Sequence, residues 1–192
     1  MTTPDPPFVG ARPWLSSVVA WATAVHAEQF REVDNAPFVL HPLEVASTLS
    51  SRGYDDAVVA AGLLHDAVEK TETTIEAVRE RCGDRVAAIV AAVTEDDTIT
   101  DYAERKSKLR AQMAAAGVDA HAVYAADKLT KARELRAQVA RDRRAVTDPA
   151  FRRRLGHYED SLELLRSVAA EVPMVEQLAF ELWALRVLPP AR

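Results

Sequence analysis

Leu63-Leu64-His65-Asp66-Ala67-Val68-Glu69 sets an imidazole and a carboxylate side by side in an apolar segment, with a second carboxylate one helical turn after the histidine. Burying such groups is costly unless something pairs them, and a divalent metal is the usual partner for mixed imidazole and carboxylate ligands. His41 lies upstream of the doublet and Asp127 downstream, each in an apolar or helical setting. His41, His65, Asp66 and Asp127 therefore form a candidate four-ligand site drawn from three separate helices. Neighbours on a helix are about 100° apart, so His65 and Asp66 can still converge on one ion. Glu69 shares a helix face with His65. A nitrogen and oxygen set suits Mn²⁺, Fe²⁺ or Zn²⁺, whereas a thiolate zinc site is ruled out by the single, isolated Cys82.

Each residue also has a plainer reading. His41, just before Pro42, is also a loop histidine. His65 and Asp66 also read as a hydrogen-bonded pair at a helix end. Asp127, beside Lys128 and near Lys131, also reads as a surface ion-pair residue, a kind of contact worth little. The four taken together, with the doublet in an apolar segment, favour the metal.

The elements that must position these residues read as helix nearly throughout. Ala, Leu, Glu and Arg dominate after Pro13, and glycine is scarce. Pro13 suits the first turn of a helix through about residue 30, with Trp14, Val18, Trp21 and Val25 on one face. Asp34-Asn35-Ala36-Pro37 marks a loop. A short helix is expected over 42–49, another over 57–69 capped by Asp55 or Asp56, one that starts within Thr73-Thr74-Ile75-Glu76 and stops at Gly83, then 84–93 and about 102–115. A further helix beginning at Asp119 carries Tyr124 and Asp127, and two more cover about 150–170 and 173–188. Trp14, Trp21 and Trp183 have apolar neighbours and read as core or groove aromatics. No alternating strand or hairpin pair is apparent. The expectation is an all-α, single-domain helical array over 13–192, preceded by a flexible Pro-rich arm over 1–12.

The chain of 192 residues suffices for one well-packed domain. Its net charge of -5 and pI near 5.6 argue against a general nucleic-acid binder. Arg141, Arg143-Arg144 and Arg152-Arg153-Arg154 read first as a solvated basic face. One cysteine fits a reducing compartment. No stretch of about 18 apolar residues suggests a membrane span, and the N-terminus does not read as a signal peptide. A cytoplasmic protein acting on a small molecule is expected, with no nucleic acid or membrane partner and with homo-oligomerisation left open.

Several motifs in order carry a resemblance. They are His26-Ala27-Glu28-Gln29-Phe30-Arg31, His41-Pro42-Leu43-Glu44-Val45-Ala46, Ala60 through Thr71 around the His-Asp doublet, Cys82-Gly83-Asp84-Arg85-Val86, Ala92 through Asp97, and Ala125-Ala126-Asp127-Lys128-Leu129. The pattern resembles the HD-domain metal-dependent phosphohydrolases, and most of all the small stand-alone RelA/SpoT-homologue hydrolases that remove pyrophosphate from the 3′ position of (p)ppGpp. It runs from about Trp14 to Arg136, and more faintly to Leu165. No synthetase segment is seen after it.

The resemblance implies an HD fold and one divalent metal, Mn²⁺ first, on His41, His65, Asp66 and Asp127. It places Glu69 on the first acidic catalytic position and Arg31, after a one-residue loop shift, on a basic substrate-contact position. The pattern also departs from the family. Lys70 stands where a second acid is usual, Lys131 where asparagine is usual, and Glu32 where a second basic residue is usual. Lys70 reads as an altered catalytic residue and phosphate contact, as an ion-pair partner of Asp66, or as a solvated residue at the helix end. Lys131 reads as a pocket residue or as a partner of Glu134 or Asp127. Lys128 is either solvated or a pocket residue. The implied activity is hydrolysis of a phosphorylated nucleotide, (p)ppGpp first. The alternatives are a phosphohydrolase for another nucleotide and a catalytically silent nucleotide sensor.

Overall fold

Side-chain caps, glycine turns and prolines divide this helix-rich sequence into short helices. The computed structural model describes residues 5–32 and 34–187. It resolves into two compact units, Met1–Val123 and Tyr124–Arg192.

The first unit carries α1 (Pro13–Val25), α2 (Leu40–Ser51), α3 (Asp56–Leu64), α4 (Ala67–Lys70), α5 (Ile75–Cys82), α6 (Asp84–Val93), α7 (Tyr102–Ala114) and the start of α8 (Val118–Arg141). Asp55 caps α3 by accepting from the amides of Ala57 and Val58, Thr74 caps α5 at the Ala77 amide, and Asp101 caps α7 at the Glu104 amide. Each such cap is worth about 1 kcal/mol. Gly83 ends α5 at φ 88° and opens α6, a backbone conformation that side chains disfavour. Val18 and Leu15 of α1, Val45 and Leu49 of α2, and Val58, Leu63 and Leu64 of α3 are buried together with Val86 and Val90 of α6. Each such side chain contributes about 1.5–3 kcal/mol by leaving water.

The second unit holds the rest of α8, a 3-10 turn over Arg143–Thr147, α9 (Pro149–Val168) and α10 (Pro173–Val187). Glu181 of α10 is buried between the half-exposed guanidinium groups of Arg133 and Arg136, with Arg136 Nε donating at 2.5 Å. Tyr124 and Ser161 join α8 to α9 by a hydroxyl hydrogen bond of 2.8 Å.

The all-α expectation holds: among the described residues no strand forms, and the only β pairing is an isolated bridge between Phe30 and Pro37. No helix of the described residues is long and apolar enough to cross a membrane. Details of several elements refine the sequence reading. Helix α1 stops at Val25, well short of residue 30, because the chain turns at His26, where the Gln29 amide donates to the His26 carbonyl at 3.0 Å. Its buried face is Leu15, Val18, Val19 and Ala22, while Trp14 is exposed. Trp183, 57% exposed, packs on exposed Phe180 at 5.7 Å and lines a surface groove with Leu162, Leu182 and Arg186, so of its two expected settings it takes the groove and not the core. The helix expected over 57–69 is interrupted at His65 and Asp66, for a reason that belongs to the site. Of the segment preceding α1, residues 1–4 lie outside those described, and from Asp5 onward Val9 is buried and Arg12 donates to its carbonyl at 3.0 Å.

Candidate metal centre

The break between α3 and α4 falls on the His-Asp doublet. His65 Nδ1 lies 2.8 Å from the Gly62 carbonyl, the acceptor that an unbroken helix would offer to the Asp66 amide. A carbonyl can only accept, so Nδ1 donates, and in the neutral ring Nε2 keeps the lone pair. This is the arrangement that fixes the tautomer of a metal-ligating histidine. His41 enters from the second position of α2, its amide held by the Phe38 carbonyl at 2.9 Å.

The three side chains converge in the first unit. His41 Nε2 lies 3.3 Å from His65 Nε2, and Asp66 Oδ2 lies 3.4 Å from His65 Nε2 and 3.6 Å from His41 Nε2. All three residues are at most 5% exposed. Metal to nitrogen bonds near 2.0–2.1 Å put neighbouring donors about 2.8 to 3.4 Å apart in octahedral or tetrahedral shells. The triangle of two imidazoles and one carboxylate suits a divalent ion in donor type, and its edges of 3.3, 3.4 and 3.6 Å lie at the wide, tetrahedral end of that spacing or just beyond it. The apolar residues Val45, Ala46, Leu63, Leu64 and Ala67 that flank these ligands along the chain are all fully buried. Close approach of α2 to α3 depends on Gly62, where a Cβ would meet Leu49 Cδ1 at 2.6 Å and Val45 Cγ1 at 3.4 Å.

Glu69 and Lys70 follow on the single turn of α4. Of the readings open for Lys70, the ion pair with Asp66 is not the one found. Lys70 Nζ instead lies 3.2 Å from Glu69 Oε1 and 5.6 Å from the centre of the Phe38 ring. The reason is that Asp66 is turned inward to the histidine pair, and only its backbone carbonyl meets Lys70, accepting from the amide at 3.0 Å. Arg31 is held by local acids: Asp34 takes its guanidinium through two oxygens, at 3.0 and 2.5 Å, and Glu44 lies at 3.7 Å.

In the second unit Asp127 is buried on α8, and each of its oxygens meets a lysine, Oδ2 with Lys128 Nζ at 2.7 Å and Oδ1 with Lys131 Nζ at 2.8 Å. Asp127, one of the two partners expected for Lys131, is thus paired with it. Lys128 is not solvated: it is buried, with Nζ 4.5 Å from the centre of the Tyr124 ring. Burial is the largest influence and pulls its ammonium pKa down, but the charges of Asp127 and Tyr124 and the Asp127 hydrogen bond together hold it above the ordinary lysine value. Desolvation pushes the Tyr158 phenol up to about 12, with the charges of Lys131 and Lys128 opposing.

His26 was absent from the residues expected at the site. It is 1% exposed, its ring packs on Phe38 at 5.0 Å, and Phe38 packs on His41 at 5.9 Å. Burial lowers its pKa while a hydrogen bond to Gln29 works against that shift. The signal for it was present in the sequence as a histidine at the end of an apolar helix, three residues before a glutamine.

Comparison with known proteins bears on this arrangement. A family model described as HD domain matches residues 18–152. The chain is 38% identical over 99 residues to the guanosine-3′,5′-bis(diphosphate) 3′-pyrophosphohydrolase of Aquifex aeolicus (strain VF5), covering 52% of this chain and 14% of that protein. It is 39% identical over 119 residues to the guanosine-3′,5′-bis(diphosphate) 3′-pyrophosphohydrolase MESH1 of Xenopus tropicalis, covering 60% of this chain and 66% of that one. The chain therefore spans from 14% to 66% of the length of these curated relatives. A solved structure described as a metazoan ortholog of SpoT that hydrolyzes ppGpp matches with a TM-score of 0.76 at 25% identity, over 98% of this chain and 100% of that one.

Proposed function

The chain belongs to the HD-domain family, and we propose that it is a metal-dependent phosphohydrolase acting on a phosphorylated guanosine nucleotide, with the 3′-pyrophosphate of (p)ppGpp as the leading substrate. The observation that carries this reading is the buried triangle of His41, His65 and Asp66, whose donor set suits a divalent ion. The names of the relatives support the nucleotide. The match over 18–152 crosses the boundary between the two units, which supports treating residues 13–192 as one functional domain.

On this reading His41, His65, Asp66 and Asp127 hold the ion, Mn²⁺ first. A bound divalent ion would supply Lewis acidity, lowering the pKa of water and offsetting phosphate charge. Glu69 accepts a proton from the attacking water, a role worth about 10²–10⁴ in rate. The new bond joins the water oxygen to phosphorus, the bond from phosphorus to the 3′ oxygen breaks, and pyrophosphate departs. The proton passes to the 3′ oxygen, which leaves as a hydroxyl. Lys128 and Lys131 reach phosphate from α8, and Arg31 does so by exchanging part of its Asp34 pairing for substrate oxygens.

The ion pair between Lys70 and Glu69 favours a variation on this theme. A cation 3.2 Å from Glu69 Oε1 occupies an oxygen that would otherwise be open to the attacking water. Turnover of (p)ppGpp is accordingly slow, or another phosphorylated nucleotide is preferred. The test is release of phosphate or pyrophosphate from a nucleotide panel with Mn²⁺, Mg²⁺, Zn²⁺ or chelator. Chelator-sensitive pyrophosphate release from ppGpp establishes the leading reading. Release from another nucleotide alone redirects the substrate, and saturable nucleotide binding without any release marks a sensor and overturns the enzyme.

A further inference from the structure

Gln29 stands in the turn after α1, and its amide bridges two groups. Nε2 donates to the Lys70 carbonyl at 2.6 Å, across 41 positions of sequence, and Oε1 meets His26 Nδ1 at 2.8 Å. The Lys70 carbonyl can only accept, which orients the amide. With Oε1 facing the ring, His26 Nδ1 must be the donor. His26 Nε2 is buried and meets no hydrogen-bond partner among the described residues.

The carbonyl at the end of this chain of bonds belongs to the last residue of α4. A four-residue helix is a single turn and has little stability of its own. Its terminal carbonyls need partners. Within the turn, the amides of Lys70 and Thr71 donate to the Asp66 and Ala67 carbonyls at 3.0 and 3.1 Å. Gln29 ties the end of that turn to the end of α1, and His26, buried against Phe38, fixes Gln29.

We propose that His26 and Gln29 form a positioning bracket for the turn that presents Glu69 and Lys70. Neither touches reacting atoms. His26 acts only through Nδ1, and Gln29 acts through the Lys70 carbonyl. The role in turnover rests on Glu69 being the proton acceptor of the proposed hydrolysis, while the bracket itself does not.

Three variants separate the roles. Gln29→Glu keeps an oxygen for His26 but sets a second oxygen against the Lys70 carbonyl. His26→Asn places an amide N–H close to the position of Nδ1, and His26→Gln places one close to that of Nε2. With Mn²⁺-loaded full-length protein, Gln29→Glu and His26→Gln should each lose about tenfold in kcat, in keeping with the cost of a small misplacement. KM and metal stoichiometry should stay as in wild type. His26→Asn should stay within about threefold of wild type. Independently of activity, the Lys70 and Thr71 amides should exchange with solvent faster in Gln29→Glu and His26→Gln than in wild type or His26→Asn. Unchanged amide exchange in Gln29→Glu overturns the bracket. A loss of kcat in His26→Asn as large as in His26→Gln overturns the assignment to Nδ1. Should wild type release no pyrophosphate from any nucleotide, the functional reading fails, and the exchange measurement still decides the bracket.

Discussion

His41 Nε2 and His65 Nε2 lie 3.3 Å apart although 24 positions separate them in the chain. That spacing is set by backbones before it is set by side chains. His65 is fixed from behind by the Gly62 carbonyl, and the same Gly62 admits Leu49 and Val45 of α2. Gly62→Val should therefore push α2 from α3, cost about 1–3 kcal/mol through overpacking, and weaken metal binding at least about tenfold, since a ligand set depends on its supporting shell. Denaturant melts and calorimetric titration with Mn²⁺ measure both. An unchanged affinity would show that this approach does not tune the site.

Removing a ligand should act on the metal and spare the helices. Purified wild type should carry one divalent ion per chain, and His65→Ala or Asp127→Ala should carry far less at unchanged far-ultraviolet helicity. Chelation should lower the melting temperature of wild type alone, because a ligand at 100 times its Kd stabilises the folded state by about 2.7 kcal/mol. Elemental analysis with paired melts is the check. Full stoichiometry in Asp127→Ala would remove Asp127 from the site.

Glu69→Gln keeps the size of the side chain and removes the charge. If Glu69 accepts the proton, kcat should fall by about 10²–10⁴ while metal content is retained. Lys70 also loses the ion-pair partner it holds at 3.2 Å. That exposed pair is worth little, so the melting temperature should barely move. A wild-type kcat in this variant excludes the role.

The sequence already pointed to much of this site, and the reason is physical. His65 and Asp66 stood out because an apolar helix such as α3 has no use for ionisable neighbours unless they are partnered. Caps such as Asp55 were visible because Asp before a helix satisfies orphan amides. What stayed hidden depends on which of several available partners a side chain finally turns to. Nothing local shows that Lys70 turns to Glu69 and leaves Asp66 to the histidines, or that Gln29 reaches the Lys70 carbonyl. The break after Leu64 was equally hidden, since helix propensity continues through Glu69 while the His65 ring takes the Gly62 carbonyl.

Tyr158 gives the second unit an alkaline signature. Desolvation pushes its phenol up to about 12, so the fold favours the neutral form. A raised pKa contributes stability that is complete below the unfolded value, near 10, and is lost as pH rises through about 12. A shift of that size corresponds to about 2 to 3 kcal/mol at the high-pH end. The stability difference between wild type and Tyr158→Phe should be constant up to about pH 9.5 and then move in favour of the variant. Urea melts across that range measure it, and parallel curves would refute the shift.

Lys70 marks where this chain departs from the family pattern. Its ammonium beside Glu69 reverses the charge that a second acid would bring, and such changes are large in a partly desolvated site. Lys70→Asp releases Glu69 from its cation and supplies another acid, so ppGpp hydrolysis should rise, by about tenfold or more if proton acceptance limits turnover. Lys131, 2.8 Å from Asp127 Oδ1, is the second departure, and by holding that carboxylate it can mask the gain. The double change Lys70→Asp with Lys131→Asn controls for this, because asparagine removes the charge that competes for Asp127. Steady-state pyrophosphate release from ppGpp, measured for wild type, each single variant and the double variant, separates the contributions. If wild type already turns over ppGpp efficiently and neither Lys70→Asp nor the double variant changes the rate, the charge at this position is irrelevant and the specificity argument fails.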